Sequence, residues 1–83
     1  ARIREERNLV IANLTSKLLM KLRPHLVKIL MPGGYLIISG IIEQDVPAME
    51  KHFIKEPLTC TEKLAEKEWV CYVLRKERQA EKD

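Results

Sequence analysis

Residues 35–42 read YLIISGII, and this stretch decides the fold class. In a β-strand, alternate side chains point to opposite faces of the sheet, and here both alternating sets are almost wholly apolar or small. Such a strand is typical of a parallel sheet that carries helices on both faces. We therefore predict an α/β fold in which strand 35–42 is covered on both sides.

The residues before this strand predict another strand and a helix. Residues 8–12 (NLVIA) form a short apolar run, and the hydroxyl residues 15–16 that follow are candidate helix caps. Between residues 17 and 30, leucines and isoleucines recur every three or four positions, which is the helical period. Because Pro24 removes a backbone donor, we expect a kink near Arg23 or two short helices.

The residues after the strand predict a second helix and a hairpin. Pro-Gly-Gly at 32–34 should end the first helix, with glycine as the left-handed C-terminal cap. Asp45 can cap the second helix. Residues 58–64 and 69–74 predict two antiparallel strands, and the charged residues 75–83 a frayed helix. The expected order is strand, helix, strand, helix, strand, strand, with parallel strands and one antiparallel member.

Length and composition limit the chain to one small unit. It has 83 residues, of which 46% are apolar and 33% charged, so we treat 1–83 as a single partial domain with flexible ends at 1–7 and 77–83. No apolar run reaches the roughly 18 to 20 residues of a membrane span, and no signal peptide is evident. Two cysteines do not make a disulfide scaffold. These features favour a cytoplasmic protein.

The basic residues allow a second interpretation. The net charge is only +3, but residues 8–42 contain four bases and no acid. On a helix, Lys17, Lys21 and Lys28 would share one stripe, which is either a solvated face or a surface that contacts phosphates. The alternative function is therefore a small basic interaction module that binds RNA or an acidic partner through these lysines.

The remaining candidate residues do not predict a metal or redox site. The two histidines and two cysteines lack the spacing of a zinc site, so we expect no metal. The cysteines are expected to be small strand or core residues. Trp69 and Tyr72 should point to opposite faces of one strand, and core packing is favoured for them over a role as a ligand platform. The residues excluded as metal ligands are His25, His52, Cys60 and Cys71.

Three segments carry a family resemblance. VIANL (10–14), LMPGGYLIISGII (30–42) and EWVCYVLRK (68–76), in this order and spacing, resemble the C-terminal half of the class I S-adenosylmethionine-dependent methyltransferases. They are most similar to the ribosomal protein L11 methyltransferase family. The resemblance implies a Rossmann-like methyltransferase sheet in which the last strand lies antiparallel between the two strands before it. It also implies protein N-methylation with S-adenosylmethionine as cofactor and a ribosomal protein as substrate.

The resemblance assigns one candidate site residue, Asn13. In the family an asparagine at the end of this strand lies beside the cofactor and the reacting amine, so Asn13 is the candidate for both cofactor and substrate binding. An amide can hold a hydrogen of the amine while its lone pair stays free. The alternative is that Asn13 only caps a helix or forms a turn. No general base and no other catalytic residue can be named.

The same resemblance implies that much of the cofactor site is missing. The three glycines, Gly33, Gly34 and Gly40, do not form the glycine-rich loop that follows a first strand. The acidic residue that would bind the ribose is also absent. We therefore expect a fragment that binds S-adenosylmethionine weakly or not at all and is inactive alone. Its partners would be the missing N-terminal half of the domain and, through the exposed edge at 8–12, a second copy of the chain.

Overall fold

The described residues form five strands and two helices, which follow one another along the chain. The structure is a computed structural model that describes residues 2–6 and 8–78. A 3-10 turn, Glu43–Asp45, connects the third strand to the second helix. The elements are β1 (Arg2–Glu6), β2 (Leu9–Asn13), α1 (Ser16–Ile29), β3 (Tyr35–Ile42), α2 (Val46–His52), β4 (Leu58–Glu66) and β5 (Trp69–Lys76).

The strands form one mixed sheet in the order β1, β2, β3, β5, β4. The central pair β2 and β3 is parallel, as expected for strands joined by a helix. The last strand, β5, lies between β3 and β4 and runs antiparallel to both. This arrangement confirms the predicted fold class and the predicted place of the final strand.

Helix α1 is one continuous helix of 14 residues that contains Pro24. The Oγ1 of Thr15 accepts a hydrogen bond from the backbone N–H of Leu18 at 3.3 Å and so caps the first turn. Leu19 and Leu26, on either side of the proline, are both fully buried, and Pro24 itself is exposed. Because one apolar stripe packs into one core on both sides of Pro24, the alternative of two short helices is wrong.

The side chain of Lys76 caps the C-terminal end of α1, and the predicted glycine cap is wrong. Leu30, the residue after the helix, is extended, and Gly33 takes its positive φ of 83° within the turn that follows. The Nζ of Lys76 donates to the backbone oxygens of Val27 at 2.8 Å and Leu30 at 2.9 Å. Arg75 and Lys76 belong to β5, so the predicted frayed helix does not begin there.

Asp45 stands at the N-cap of α2, without a side-chain capping hydrogen bond among the described residues.

Arg23 of α1 connects the two helices through hydrogen bonds to the backbone that ends α2. At the other end of α2, the Arg23 guanidinium of α1 donates to the backbone oxygens of Phe53 and Lys55, both at 2.8 Å, and of Glu56 at 3.1 Å. Its planar fork can reach several carbonyls at once.

Both helices pack on the same face of the sheet. In β3, the alternate residues Leu36 and Ile38 are buried, but Ile37 is only half-buried and Tyr35 is 41% exposed. The prediction that helices cover both sides of this strand is therefore wrong for this chain. The core consists of Val10, Ala12, Leu14, Leu19, Leu26, Leu30, Leu36, Ile38, Ile41, Met49, Phe53, Leu58, Val70, Tyr72 and Leu74.

The outer edge of β2 is occupied by the chain itself. Strand β1 pairs antiparallel with β2 from Arg2 opposite Asn13 to Glu6 opposite Leu9. The expected free edge at 8–12, and with it a dimer through that edge, is therefore wrong, because β1 takes up the open backbone groups. Residues 2–6 form this strand, and the predicted flexibility at residues 1, 7 and 79–83 lies outside the described residues.

Candidate functional site

The candidate site lies at the carboxyl ends of the two parallel strands. Because β2 and β3 run in the same direction, their carboxyl ends meet at one edge of the sheet, where α/β proteins bind ligands. Asn13, the last residue of β2, pairs with Ser39 of β3. The side chain of Asn13 is exposed at this edge.

A β-bulge in β3 brings the backbone of Gly40 against Asn13. Ile38 pairs with Tyr72 and Ile41 with Val70, so two residues of β3 share the space of one residue of β5. Gly40 lies in this bulge with φ of +84°, and a Cβ placed on it would lie 2.9 Å from Asn13 Oδ1. The amide of Asn13 can approach this closely because position 40 has no side chain.

The amide and the bulge border a small open cavity. The cavity has a volume of about 270 Å³ and is lined by Asn13, Leu14, Thr15, Gly40 and Trp69. Thr15 caps α1, so the capping role considered for Asn13 is filled by another residue. The lining therefore offers an amide, an indole ring and a helix N-terminus, and none of the five lining residues carries a group that titrates near neutral pH.

Trp69 lines the candidate site, although its sequence pattern favours core packing over a ligand platform. It was predicted to pack in the core, yet it is 52% exposed. Trp69 is the first residue of β5 and lies at an odd separation from the buried Val70 and Tyr72, so its ring stands on the face where the described residues place no helix. Trp69 and Tyr72 are three residues apart, so their side chains lie on opposite faces of the sheet. This spacing predicts that Trp69 is exposed only if one of the two faces is known to be uncovered. An exposed indole face attracts ammonium groups.

A second, larger cavity adjoins the first across the paired residues Ile42 and Trp69. It measures about 520 Å³ and is lined by Ile42, Glu43, Gln44, Pro47 and Glu68. The backbone N–H of Glu43 donates to the backbone oxygen of Glu68 at 3.0 Å, which holds the two acidic residues side by side. The lining of this second cavity therefore contains two acidic residues and no basic one, which favours a cationic group over an anionic one there, although the exposed Lys67 lies beside Glu68 in the chain.

The other polar candidates lie away from this edge. All three lysines of the α1 stripe and both histidines are exposed. Among the described residues, no group of three or more histidines, cysteines or acids could hold a metal ion. Cys60 is exposed on β4 and Cys71 half-buried on β5, both as free thiols. Burial raises the pKa of the Cys71 thiol.

A buried tyrosine joins α2 to the hairpin on the helical face. The hydroxyl of Tyr72 donates to Glu50 Oε2 at 2.9 Å, and the same oxygen accepts from Lys63 Nζ at 2.7 Å. These two hydrogen bonds lower the pKa of Glu50, with the Lys63 bond the larger cause. Desolvation, and then the Glu50 bond, raises the pKa of Tyr72. These three side chains lie on the helical face of the sheet and connect α2 to the β4–β5 hairpin.

Comparison with known proteins decides the family. Residues 1–77 match the family described as ribosomal protein L11 methyltransferase (PrmA). The chain belongs to this family. The predicted resemblance is thereby confirmed, and the alternative of a stand-alone basic interaction module is not favoured.

Several ribosomal protein L11 methyltransferases resemble the chain over most of its length. The Bacillus licheniformis protein is 30% identical over 71 residues, which are 86% of this chain and 23% of the relative. The Chloroflexus aurantiacus protein is 41% identical over 69 residues, or 83% of this chain and 21% of the relative. The chain thus spans less than a quarter of the length of either relative and corresponds to a part of such an enzyme.

A solved structure shows the same fold. The ribosomal protein L11 methylase of Lactobacillus delbrueckii subsp. bulgaricus superposes with a TM-score of 0.77 at 24% identity. The match covers 86% of this chain and 37% of that protein. Among the described residues of our chain, no helix is long and apolar enough to cross a membrane.

Proposed function

We propose that this chain supplies the amine-facing side of the active site in an S-adenosylmethionine-dependent protein N-methyltransferase of the cytoplasm, with a ribosomal protein as substrate. The observation that carries the proposal is the cavity between Asn13, Gly40 and Trp69 at the carboxyl edge of the parallel strands. Family membership supports the reaction class.

The chemistry of these two side chains suits an amine nucleophile. When bound, the cofactor would supply a sulfonium methyl group, and its transfer would form an N–C bond, break the C–S bond and leave the electron pair on sulfur. The Asn13 amide oxygen can accept a hydrogen from the amine and hold its lone pair toward the methyl group. The Trp69 ring can hold the cationic form of the incoming side chain before it loses its proton.

No residue that lines the cavity can act as the base that accepts the proton of the amine. Neither Asn13 nor Trp69 is a base, and the other three lining residues carry no ionisable group. We therefore assign the two residues to positioning and assign no general base in this chain. Positioning of this kind contributes through the orientation of reacting atoms.

The rest of the cofactor site must come from elsewhere. The glycines of the chain lie at the turn into β3 and in its bulge, and they do not form a loop between a strand and a following helix. We propose that the remaining part of the methyltransferase domain provides the glycine-rich loop and the acidic ribose ligand. The isolated chain should accordingly bind S-adenosylmethionine weakly or not at all and transfer no methyl group.

A chimera tests the proposal. The chain replaces the matching segment of the Bacillus licheniformis relative, and transfer of a labelled methyl group from S-adenosylmethionine to ribosomal protein L11 is measured. We expect an active chimera in which Asn13→Ala lowers kcat by about 100-fold, because the nucleophile loses its orientation. Asn8→Ala, in the turn that precedes the opposite end of β2, is the matched control and should leave kcat unchanged.

Two results would contradict the proposal. One is a folded chimera without methyl transfer, and the other is an equal, small effect of Asn13→Ala and Asn8→Ala. The isolated 83-residue chain is assayed in parallel, and methyl transfer by it would show that the chain contains a complete site.

A further inference from the structure

The second cavity at the carboxyl edge of the sheet is not used by the proposed reaction. It adjoins the Asn13 cavity across the paired residues Ile42 and Trp69, of which Trp69 lines the Asn13 cavity and Ile42 lines the second one. Its volume of about 520 Å³ lies within the roughly 300 to 1,000 Å³ of typical ligand cavities. We call it the flanking cavity.

Two segments that are far apart in the sequence form the flanking cavity. Residues 43–45 (EQD) make the 3-10 turn after β3, and residues 66–68 (EKE) span the turn of the β4–β5 hairpin. The backbone N–H of Glu43 donates to the backbone oxygen of Glu68 at 3.0 Å and joins the two segments. Both carboxylates are therefore carried by one hydrogen-bonded frame.

The two segments carry an excess of negative charge. In the described part of the chain, no side-chain hydrogen bond or ion pair engages the carboxylate of Glu43 or of Glu68, and both side chains are exposed. They are therefore open to a partner from outside. The single base, Lys67, does not line the cavity. The acidic residues of the two segments are Glu43, Asp45, Glu66 and Glu68.

The lining suits a long basic side chain. Ile42 and Pro47 add apolar surface beside the two carboxylates. Lysine and arginine lay their hydrocarbon stems along apolar surface and keep the charged head at a polar group, and an arginine can bind a carboxylate through two parallel hydrogen bonds. A metal ion is a poorer match, because no group of three or more metal-ligating side chains occurs among the residues that the structure describes.

We propose that the flanking cavity binds an arginine or lysine side chain that lies one or two positions from the modified residue of the substrate protein. Paired residues of antiparallel strands, here Ile42 and Trp69, are about 4.5 to 5.5 Å apart. An extended polypeptide advances about 3.3 Å per residue. A peptide whose amine enters the Asn13 cavity therefore reaches the flanking cavity within one or two residues.

The inference deepens the proposed function and rests on it, since it names the sequence context that the same edge of the sheet selects. The roles of the residues nevertheless differ. Asn13 orients the amine for transfer, whereas Glu43 and Glu68 contribute to the affinity for a neighbouring side chain. They are specificity residues without a catalytic role, so the two proposals have separate readouts.

Trp69 supplies a readout for binding, because it is the single tryptophan of the 83 residues and lies between the two cavities. Fluorescence titration of the chain at about 20 mM ionic strength measures the Kd of two synthetic peptides of equal composition. Each contains one lysine and one arginine, which is two positions away in the first peptide and eight in the second. We expect the first peptide to bind about tenfold more tightly, which equals about 1.4 kcal/mol.

A double substitution tests the two carboxylates. Glu43→Gln combined with Glu68→Gln should abolish the tenfold preference for the first peptide, because the arginine loses both opposite charges. Glu56→Gln combined with Glu62→Gln is the matched control. It removes the same charge from two exposed positions that do not line the cavity, and it should keep the preference.

Each outcome has a defined meaning. Equal affinities of the two peptides for the wild-type chain, no binding of either, or a preference that the control variant loses as well would overturn the inference. If Asn13→Ala leaves methyl transfer by the chimera unchanged while the arginine preference persists, the catalytic proposal fails and the flanking cavity stands. A loss of transfer in Asn13→Ala together with equal peptide affinities gives the reverse result.

Discussion

Position 40 shows how one missing side chain shapes the candidate site. Gly40 combines a positive φ with a place for Cβ only 2.9 Å from the Asn13 oxygen. Gly33 has nearly the same φ, +83°, but a Cβ there would meet the flexible end of the Arg78 side chain. Both positions therefore require a positive φ, but only position 40 lies against Asn13. A comparison of the two separates the effect of φ from the effect of the contact with Asn13.

We predict that Gly40→Ala and Gly33→Ala each destabilise the chain, and that only Gly40→Ala moves Asn13. A non-glycine residue in the left-handed region costs roughly 1 to 2 kcal/mol, which urea unfolding would measure in both variants. The side-chain amide resonances of Asn13 should shift in Gly40→Ala and stay in place in Gly33→Ala. An unmoved Asn13 in both variants would contradict the geometry described for the bulge.

The sequence identifies Asn13 as the candidate residue but does not predict its surroundings. The strand end and the family resemblance both pointed to Asn13. The bulge at Ser39 and Gly40 is a matter of register between β3 and β5, and register depends on pairing between residues far apart in the sequence. Trp69 was assigned to the core because its strand is apolar, and apolarity alone does not say which face is covered.

At the scale of the element, α1 depends on a residue almost fifty positions away. The Nζ of Lys76 binds two carbonyl oxygens at the helix C-terminus, those of Val27 and Leu30. These carbonyls have no partner within the helix, and a cation there also interacts favourably with the helix dipole. Lys28, in the same last turn, is exposed and can contribute only through the dipole.

We predict that Lys76→Met lowers the free energy of unfolding by about 1.5 to 3 kcal/mol, the usual contribution of hydrogen bonds to a charged group. Lys28→Met, which removes the same charge from an exposed position of that helix turn, should change the free energy of unfolding by less than about 1 kcal/mol. Urea unfolding followed by circular dichroism would measure both. Equal effects of the two substitutions would show that Lys76 acts through charge alone.

The positions of most elements followed from local patterns, whereas the cap at the end of α1 and the presence of β1 did not. The apolar period placed α1, and β3 was predicted with its exact bounds. The helix end was assigned to glycine because the cap at Lys76 comes from a distant strand. Strand β1 was not predicted, since its charged residues form a strand through pairing with β2 and not through an apolar pattern of their own.

At the scale of the whole molecule, the Tyr72 cluster links stability to pH. The folded chain lowers the pKa of Glu50 through its bonds to Lys63 and Tyr72. The contribution of Glu50 to stability is therefore complete above its unfolded pKa of about 4.3 and is lost as pH falls through the folded pKa. Tyr72 has a raised pKa, so its contribution is complete below about pH 10 and is lost as pH rises.

We predict that Glu50→Gln flattens the acid side of the stability profile and that Tyr72→Phe flattens the alkaline side. Urea unfolding from pH 3 to pH 11 would measure both. Glu56→Gln is the control for the acid side, because the Glu56 side chain is exposed and its substitution leaves the backbone oxygen that Arg23 binds. An acid side equally steep in wild type and Glu50→Gln would contradict the role of the cluster.

The position of β5 determines when the molecule can form. Its eight residues, Trp69–Lys76, separate β3 from β4, which have no other strand between them. During synthesis, every earlier element leaves the ribosome while this gap is still open, and Leu36 and Ile38 lack a neighbour on that side. Contacts between residues so far apart form late. Among the described strands, β5 is thus the one that closes the sheet, and a chain that stops before Trp69 would leave β4 with no strand to pair with.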